Sequence, residues 1–165
     1  LLVDGLNISA LDSKSKVNSK NKPSNKITNI MSHFTSIKTQ IKNRDALVTA
    51  LSDVGFKNIE IHETAQHLYG YQGDVREQTA EVIIRRQYIG SSSNDIGFKQ
   101  QADGQYEAII SEYDRHRYNQ EWMNKLMQRY GYHALKATAK EQGFTIEEDE
   151  VMQDGTVKVV VARWA

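Results

Sequence analysis

The chain has 165 residues, the length of one ordinary domain, and its 21 basic and 21 acidic residues balance. It contains no cysteine, which excludes disulfides, thiolate metal sites and thiol catalysis. No apolar run approaches the ~20 residues that span a bilayer, so the composition is typical of a soluble protein in a reducing compartment.

Residues 1–30 differ in composition from the rest of the chain. Lys, Asn and Ser supply 15 of these residues, five of each. Such a segment cannot bury enough apolar surface to offset the entropy of ordering it. The first methionine is Met31, and regular apolar patterning begins directly after it. We therefore expect residues 1–30 to be a non-globular leader upstream of a natural start at Met31; the alternative is a genuine disordered tail.

The domain is predicted to open with a strand, a helix and a second strand. Residues 32–41 are predicted to form the first strand, and Asn43 can cap the helix that follows. Apolar residues of this helix recur at i, i+3, i+4 and i+7, which gives it one buried face. Gly55 ends the helix in the usual position. A short strand is predicted over residues 57–61.

The middle of the chain is predicted to hold a loop and one strong strand. Residues 62–79 are polar and contain two glycines, so we expect them to form a loop. Residues 80–89 alternate as a strand, with Arg85 and Arg86 pointing to opposite faces. A loop rich in serine follows over residues 90–95.

Two hairpins and a long helix are predicted in the remainder. Strands 96–101 and 105–111 flank one Asp-Gly dipeptide, and strands 144–151 and 156–163 flank another. Between the hairpins, apolar residues recur at helical spacing from about residue 114 to residue 142.

This order of elements predicts the fold class. Most neighbouring strands are joined by tight turns, so the sheet should be largely antiparallel. Two amphipathic helices can cover one face of it, which is an α+β architecture. We expect one such domain over residues 31–165.

Several motifs of this domain resemble those of a known family. They are Met31–Thr39, Gly70–Asp74, Gly90–Phe98, Gln128–His133, and Asp154–Val157 with Arg163-Trp164. Together they resemble the hypothetical chloroplast reading frame thirty-five family of plastid genomes and cyanobacteria. The resemblance covers residues 31–165 and implies a cyanobacterial cytoplasm or chloroplast stroma. It implies no catalytic residues, because the family has no established activity. The family is associated with gene neighbourhoods containing a small companion protein and a ferredoxin, which implies a redox-linked accessory role.

The loop Gly70–Asp74 is one candidate binding loop. It offers Tyr71, Gln72 and Asp74 beside glycines that let backbone amides approach a ligand. The alternative, which we favour, is an ordinary turn into the next strand.

The loop Gly90–Gly97 is the second candidate. Its backbone amides could form an anion-binding nest around Ser92, Asn94 and Asp95, with Arg85 and Arg86 close in sequence. It lacks the spacing of a phosphate-binding loop. The alternative, again favoured, is that its polar side chains support the turn.

The five histidines show no metal-binding spacing, and we predict neither a metal nor a cofactor. His133, on the long helix, is a further candidate site residue, although hydrogen-bonded histidines of this kind are more often structural. The acidic run Glu147–Glu150 is either a solvated edge strand or a docking patch for a basic partner.

These observations favour a non-enzymatic accessory or adaptor protein with a protein partner. Residues 31–165 carry 16 basic and 19 acidic residues, which argues against a nucleic-acid partner. The alternative is a small enzyme or ligand-binding domain that uses both glycine-bearing loops. Since the loops flank the strand predicted over residues 80–89, they should lie about 33 Å apart unless residues 62–79 fold back along it.

Overall fold

The computed structural model describes residues 33–163. The leader expected over residues 1–30, the predicted start at Met31 and the motif residue Trp164 therefore lie outside the described residues. In chain order the elements are β1 (Phe34–Lys38), α1 (Arg44–Asp53), β2 (Glu60–Tyr69), β3 (Val75–Ile84), β4 (Ile96–Gln100), β5 (Tyr106–Ser111), α2 (Gln120–Glu141), β6 (Phe144–Val151) and β7 (Val157–Arg163). Arg86–Tyr88 and Asp114–His116 form short 3-10 turns. Neither α1 nor α2 is long and apolar enough to cross a membrane.

Both helices begin at an asparagine cap. The Asn43 side chain accepts a hydrogen bond from the Ala46 N–H at 3.0 Å, and Asn119 accepts one from the Trp122 N–H at 3.1 Å. These side chains satisfy donors that the first turn leaves free. The predicted long helix therefore begins at Gln120 rather than near residue 114, because the residues just before its cap form the separate 3-10 turn.

The central sheet has five antiparallel strands in the order β1-β5-β4-β3-β2. Its helix-facing side and the two helices share one core, in which Leu47, Phe98 and Leu126 are fully buried. The α+β class and the packing of both helices on one face of an antiparallel sheet are confirmed.

The predicted C-terminal hairpin is also confirmed, but it does not join this sheet. β6 and β7 form a separate two-stranded sheet that packs against α2. Val159 is buried at 3% exposure, whereas all four residues of the acidic run Glu147–Glu150 are exposed.

The prediction of a loop over residues 62–79 is wrong. β2 continues to Tyr69 and β3 begins at Val75, so the polar segment is a hairpin whose turn spans residues 70–74. The strand predicted over residues 80–89 correspondingly ends at Ile84. Polar residues are compatible with these strands because much of the hairpin is exposed on its outer side, while its backbone groups pair across the ladder.

The hairpin is bent, and its far half lies over the side of the sheet that faces away from the helices. Ile61 pairs with Val82, but the next pair is Gln66 with Ala80, so β2 gains extra residues in a bulge that bends the strand. Leu68 and Ala80 then pack with Ile83 and Ile109, which point to the opposite side from the main core.

Gly97 makes this close packing feasible. A Cβ added there would lie 2.8 Å from the Ala80 Cβ and 3.0 Å from Leu68 Cδ2, so no larger residue fits without displacing the hairpin. Further across the sheet, the Arg76 guanidinium lies 5.7 Å from the centre of the Phe34 ring.

Candidate functional site

The bend brings the two glycine-bearing loops together. The Asp95 N–H donates to the Tyr69 carbonyl at 3.0 Å, and the Tyr71 N–H donates to Asn94 Oδ1 at 3.1 Å. Residues 62–79 thus fold back along the sheet, which a site shared by the two loops requires. The two loops are therefore not separated by the length of about 33 Å expected for an unbent strand.

Asp95 is the fully buried acceptor that holds this junction. One carboxylate oxygen accepts the Tyr69 N–H at 2.7 Å and Arg85 Nη1 at 2.8 Å, and the other accepts the Arg86 N–H at 2.7 Å. A buried carboxylate is stable only when paired and hydrogen-bonded, and these three donors meet that requirement. Asp95 therefore clamps the hairpin to the connection that follows β3.

Arg85 lies between two carboxylates. Its Nη2 lies 2.8 Å from Glu60 Oε2, its Nη1 also donates to the His67 carbonyl at 3.0 Å, and its guanidinium lies 4.9 Å from the centre of the Tyr69 ring. Burial alone would lower the pKa of Arg85, but the bonds to Glu60 and Asp95 outweigh it and raise that pKa. The hydrogen bond from Arg85 likewise lowers the pKa of Glu60. The group is a fixed ion-pair network that keeps Arg85 charged.

Asn94 lies in a second buried network next to this clamp. Asp114 Oδ2 accepts the Asn94 N–H at 2.9 Å, Asn94 Nδ2 at 3.0 Å and the Ser111 hydroxyl at 2.6 Å. Ser111 Oγ in turn accepts from Asn94 Nδ2 at 2.9 Å. All three residues are at most 2% exposed. The network joins the second loop to the end of β5 and to the turn before α2.

Arg86 supports the second loop from within. Its Nε donates to the Ser93 carbonyl at 3.2 Å, and its Nη2 donates to the Ser91 carbonyl at 2.8 Å. Ser92, a predicted candidate, is exposed between them. The N–H groups of Ser93, Asn94 and Asp95 donate to protein acceptors, so these three amides are not available to an anion.

In the turn of the β2–β3 hairpin, Asp74 and Arg76 form an ion pair that packs against Gly70. Asp74 Oδ2 lies 2.6 Å from Arg76 Nε, and a Cβ on Gly70 would lie 2.4 Å from Asp74 Oδ1. Gln72 Nε2 donates to the Tyr71 hydroxyl at 2.9 Å on the exposed side of the turn. Tyr71, Gln72 and Asp74 thus mainly organise the turn itself.

His133 does not contact either loop among the residues that the structure describes. Its Nε2 lies 2.6 Å from Asp53 Oδ2 at the end of α1, and Arg129 Nε donates to the same oxygen at 2.8 Å. Burial would raise the pKa of Asp53, but the bonds from His133 and Arg129 outweigh it and lower that pKa. This cluster joins the two helices to each other.

Sequence reasoning missed three residues of the junction, namely Glu60, Ser111 and Asp114. Each is remote in sequence from the loops it supports, and no short motif marks it.

Within residues 33–163, no group of three or more His, Asp or Glu side chains is arranged to hold a metal ion. A hollow of about 450 Å³ lies instead at the opposite end of β4 from the junction. Its lining contains none of the candidate residues; it consists of Lys38, Thr39, Gln101, Ala102, Asp103, Gln105, Tyr106 and Glu107.

Comparison with known proteins gives consistent matches. The family described as "Protein of unknown function (DUF1257)" matches residues 50–160. "Uncharacterized protein ycf35" of Cyanophora paradoxa is 29% identical over 135 residues, which cover 81% of this chain and 98% of that protein. The proteins of the same name from Pyropia yezoensis and Guillardia theta are each 28% identical, with the same shares covered. No solved structure matches significantly.

Proposed function

The chain belongs to the DUF1257 family, and we propose that it is a non-enzymatic accessory protein that binds another protein through a preorganised loop surface. We define the loop surface as residues 86–94 and 112–117, the segments that the buried Asn94–Ser111–Asp114 network joins. The family matches confirm the resemblance inferred from the sequence motifs.

The observation that carries the proposal is how the polar groups at the loop junction are used. Asn94, Asp95 and Asp114 are buried, and they form hydrogen bonds with protein groups of neighbouring segments. A catalytic acid or base must reach its substrate, whereas these groups are enclosed. They rigidify the surface above them, and a rigid surface loses little entropy when it binds a partner.

Exposed aromatic residues on the same surface fit protein binding. Tyr88 is 49% exposed and Tyr113 is 51% exposed. Tyrosine is enriched at protein interfaces because it buries a large apolar ring and keeps one hydrogen-bonding group. The proposal extends to the setting that the family resemblance implies: a chloroplast stroma or cyanobacterial cytoplasm, and a redox- or photosynthesis-linked role that includes a ferredoxin-linked system as partner.

Site-specific photo-crosslinking in the native cells tests the proposal. A benzophenone amino acid would replace Tyr113 in one variant, Tyr88 in a second and exposed Lys140 of α2 in a control. We expect the first two variants to crosslink to the same protein and the Lys140 variant not to do so. If neither tyrosine position yields a protein adduct above the control, the proposal is wrong.

The contact between the two glycine-bearing loops favours a second candidate function, that of a small ligand-binding or enzymatic domain. Tyr71 and Asn94 lie within hydrogen-bonding distance, so one ligand could touch both loops. A thermal-shift screen with fractionated metabolites tests this. A stabilising compound whose effect is lost in Asp74→Ala, but kept in Asp103→Ala at the remote β4–β5 turn, would support the second candidate over the first.

A further inference from the structure

The two segments of the loop surface form one continuous face. Arg117 Nη1 donates to the Ile89 carbonyl at 3.5 Å, and the Asn94 N–H donates to Asp114. The Tyr113 and His116 rings lie 5.2 Å apart in an edge-on arrangement. Side chains that project from either segment can therefore contact the same partner.

The arginines of this face differ from those elsewhere in their pairing. Four of the eight arginines in residues 33–163 form ion pairs with carboxylates: Arg44, Arg76, Arg85 and Arg129. Three of the other four belong to the loop surface: Arg86, Arg115 and Arg117. In the structure, Arg86 and Arg117 donate only to backbone carbonyls, and Arg115 has neither a hydrogen bond nor an ion pair within the described part of the chain.

Acidic residues on the face do not balance these cations. Asp114 is 2% exposed, and its Oδ2 is occupied by donors of the buried network. Glu112 is exposed, so it is the accessible carboxylate within residues 86–94 and 112–117. The face is thus locally cationic on a domain whose residues 31–165 carry more acidic than basic groups.

We infer that the loop surface docks an acidic segment of a partner protein, with carboxylates of that segment paired to Arg115 and Arg117 and its apolar side chains packed on Tyr88 and Tyr113. The inference rests on the proposed function and adds the chemistry of the partner. A guanidinium fork matches a carboxylate in geometry. A protein segment with a few carboxylates fits better than a nucleic acid, because three arginines neutralise only a short run of negative charge and the net negative domain around them repels a longer one.

Fluorescence anisotropy with defined probes tests the inference on the full chain. The probes are a labelled peptide of about 12 residues with six Glu and three aromatic or leucine residues, the same peptide with Gln in place of Glu, and a 12-nucleotide oligouridylate. The variants are Arg115→Glu with Arg117→Glu, and a matched control, Lys136→Glu with Lys140→Glu, on the exposed side of α2. The control makes the same change in net charge away from the face. Urea unfolding of each variant verifies that it is folded.

We expect the acidic peptide to bind about tenfold or more tightly than the Gln peptide, and more weakly as salt is raised. The arginine double variant should lose about tenfold or more of this affinity, and the lysine double variant should stay within about twofold. Arg115→Glu alone should show part of the loss. It removes no hydrogen bond or ion pair among residues 33–163, so it replaces the double variant in the test if that variant is unfolded.

Four results would overturn the inference. Equal binding of the acidic and Gln peptides, or no binding of either, would exclude an acidic partner. The proposed function is tested separately, by crosslinking at Tyr113. Tighter binding of oligouridylate would indicate a nucleic-acid partner. Salt-sensitive self-association that the arginine variant abolishes would mean that the face meets the acidic run of a second copy.

Discussion

Replacing Asp95 by alanine should be among the most destabilising single changes in the domain. The substitution removes the shared acceptor of three donors, the Tyr69 N–H, the Arg86 N–H and Arg85 Nη1, which lie 2.7 to 2.8 Å from it. Asp95 is fully buried, and its truncation leaves these three donors without the carboxylate that accepts from them. Breaking a buried ion pair by removing one partner costs about 3–5 kcal/mol.

Two features set the magnitude within that range. Arg85 keeps Glu60 and the His67 carbonyl as partners, which limits the cost of its lost bond. The Tyr69 and Arg86 N–H groups each lose the buried Asp95 acceptor, and an unsatisfied buried group costs about 1–3 kcal/mol. We therefore expect Asp95→Ala to lower the free energy of unfolding by about 3–5 kcal/mol, against a typical total of about 5–15 kcal/mol for a domain.

Urea unfolding measures this loss from the midpoint and slope of the transition. Asp103→Ala is the control, because Asp103 is an exposed turn aspartate that accepts one backbone hydrogen bond, from Gln105 at 2.9 Å. It should cost no more than about 1 kcal/mol. Hydrogen exchange should also show that the Tyr69 amide loses protection in Asp95→Ala. A loss no larger than that of the control, with the amide still protected, would refute the clamp.

Four further predictions follow from the packing and the charges. Gly97→Ala should cost about 1–3 kcal/mol by overpacking, because its Cβ would lie 2.8 Å from that of Ala80; an unchanged thermal midpoint would show that the hairpin is not packed there. Leu126→Ala, at a fully buried position of α2, should cost about 2–5 kcal/mol in urea unfolding. The pKa of Glu60 is lowered from 4.5 by Arg85, so its stabilisation is present above pH 4.5 and is lost as the pH falls below that value; the stability difference between wild type and Glu60→Gln should shrink on acidification, and a constant difference would contradict the ion pair. Residues 31–165 should not bind random duplex DNA near physiological salt, and micromolar, salt-sensitive binding in a filter or anisotropy assay would overturn this.

The elements that the sequence predicted well are those whose burial has a simple period. The apolar stripe of α2 has helical spacing, and its residues Met123, Leu126, Met127 and Tyr130 are buried in the main core. The strands β4 and β5 and the hairpin β6–β7 each flank an Asp-Gly turn, which fixes their ends locally. Such signals depend on residues close together in the chain, so one sequence is sufficient to find them.

The β2–β3 hairpin has neither a regular burial period nor an Asp-Gly turn. Its polar residues are not diagnostic of a strand, because the burial along β2 follows no strict alternation once the bulge shifts the pairing between Ile61 and Gln66. Two buried residues, Leu68 and Ala80, hold its far half on the sheet. Their partners come from other strands, so a local pattern could not reveal them.

The candidate residues of the two loops were found from their composition, but their roles could not be. Asp95 bonds to a residue 26 positions away, and Asn94 bonds to Asp114, 20 positions away. A turn-supporting aspartate and a long-range clamp have the same local sequence, and they differ only in what the fold places opposite the carboxylate. His133 shows the converse: its chemistry suggested a site, whereas its contacts join two helices.

The bend in the hairpin therefore links stability to the proposed binding function. The bulge in β2 and the small residue Gly97 let the hairpin lie on the sheet, which brings Tyr69 to Asp95 and holds the connection carrying Arg86 and Tyr88. The same connection bonds through Asn94 to the turn that carries Tyr113. Because a preorganised surface binds with a smaller entropic cost, loosening the hairpin should weaken partner binding even where no contacting residue has changed. The irregularity that hides the hairpin from sequence analysis is thus also the feature that gives the loop surface its fixed shape.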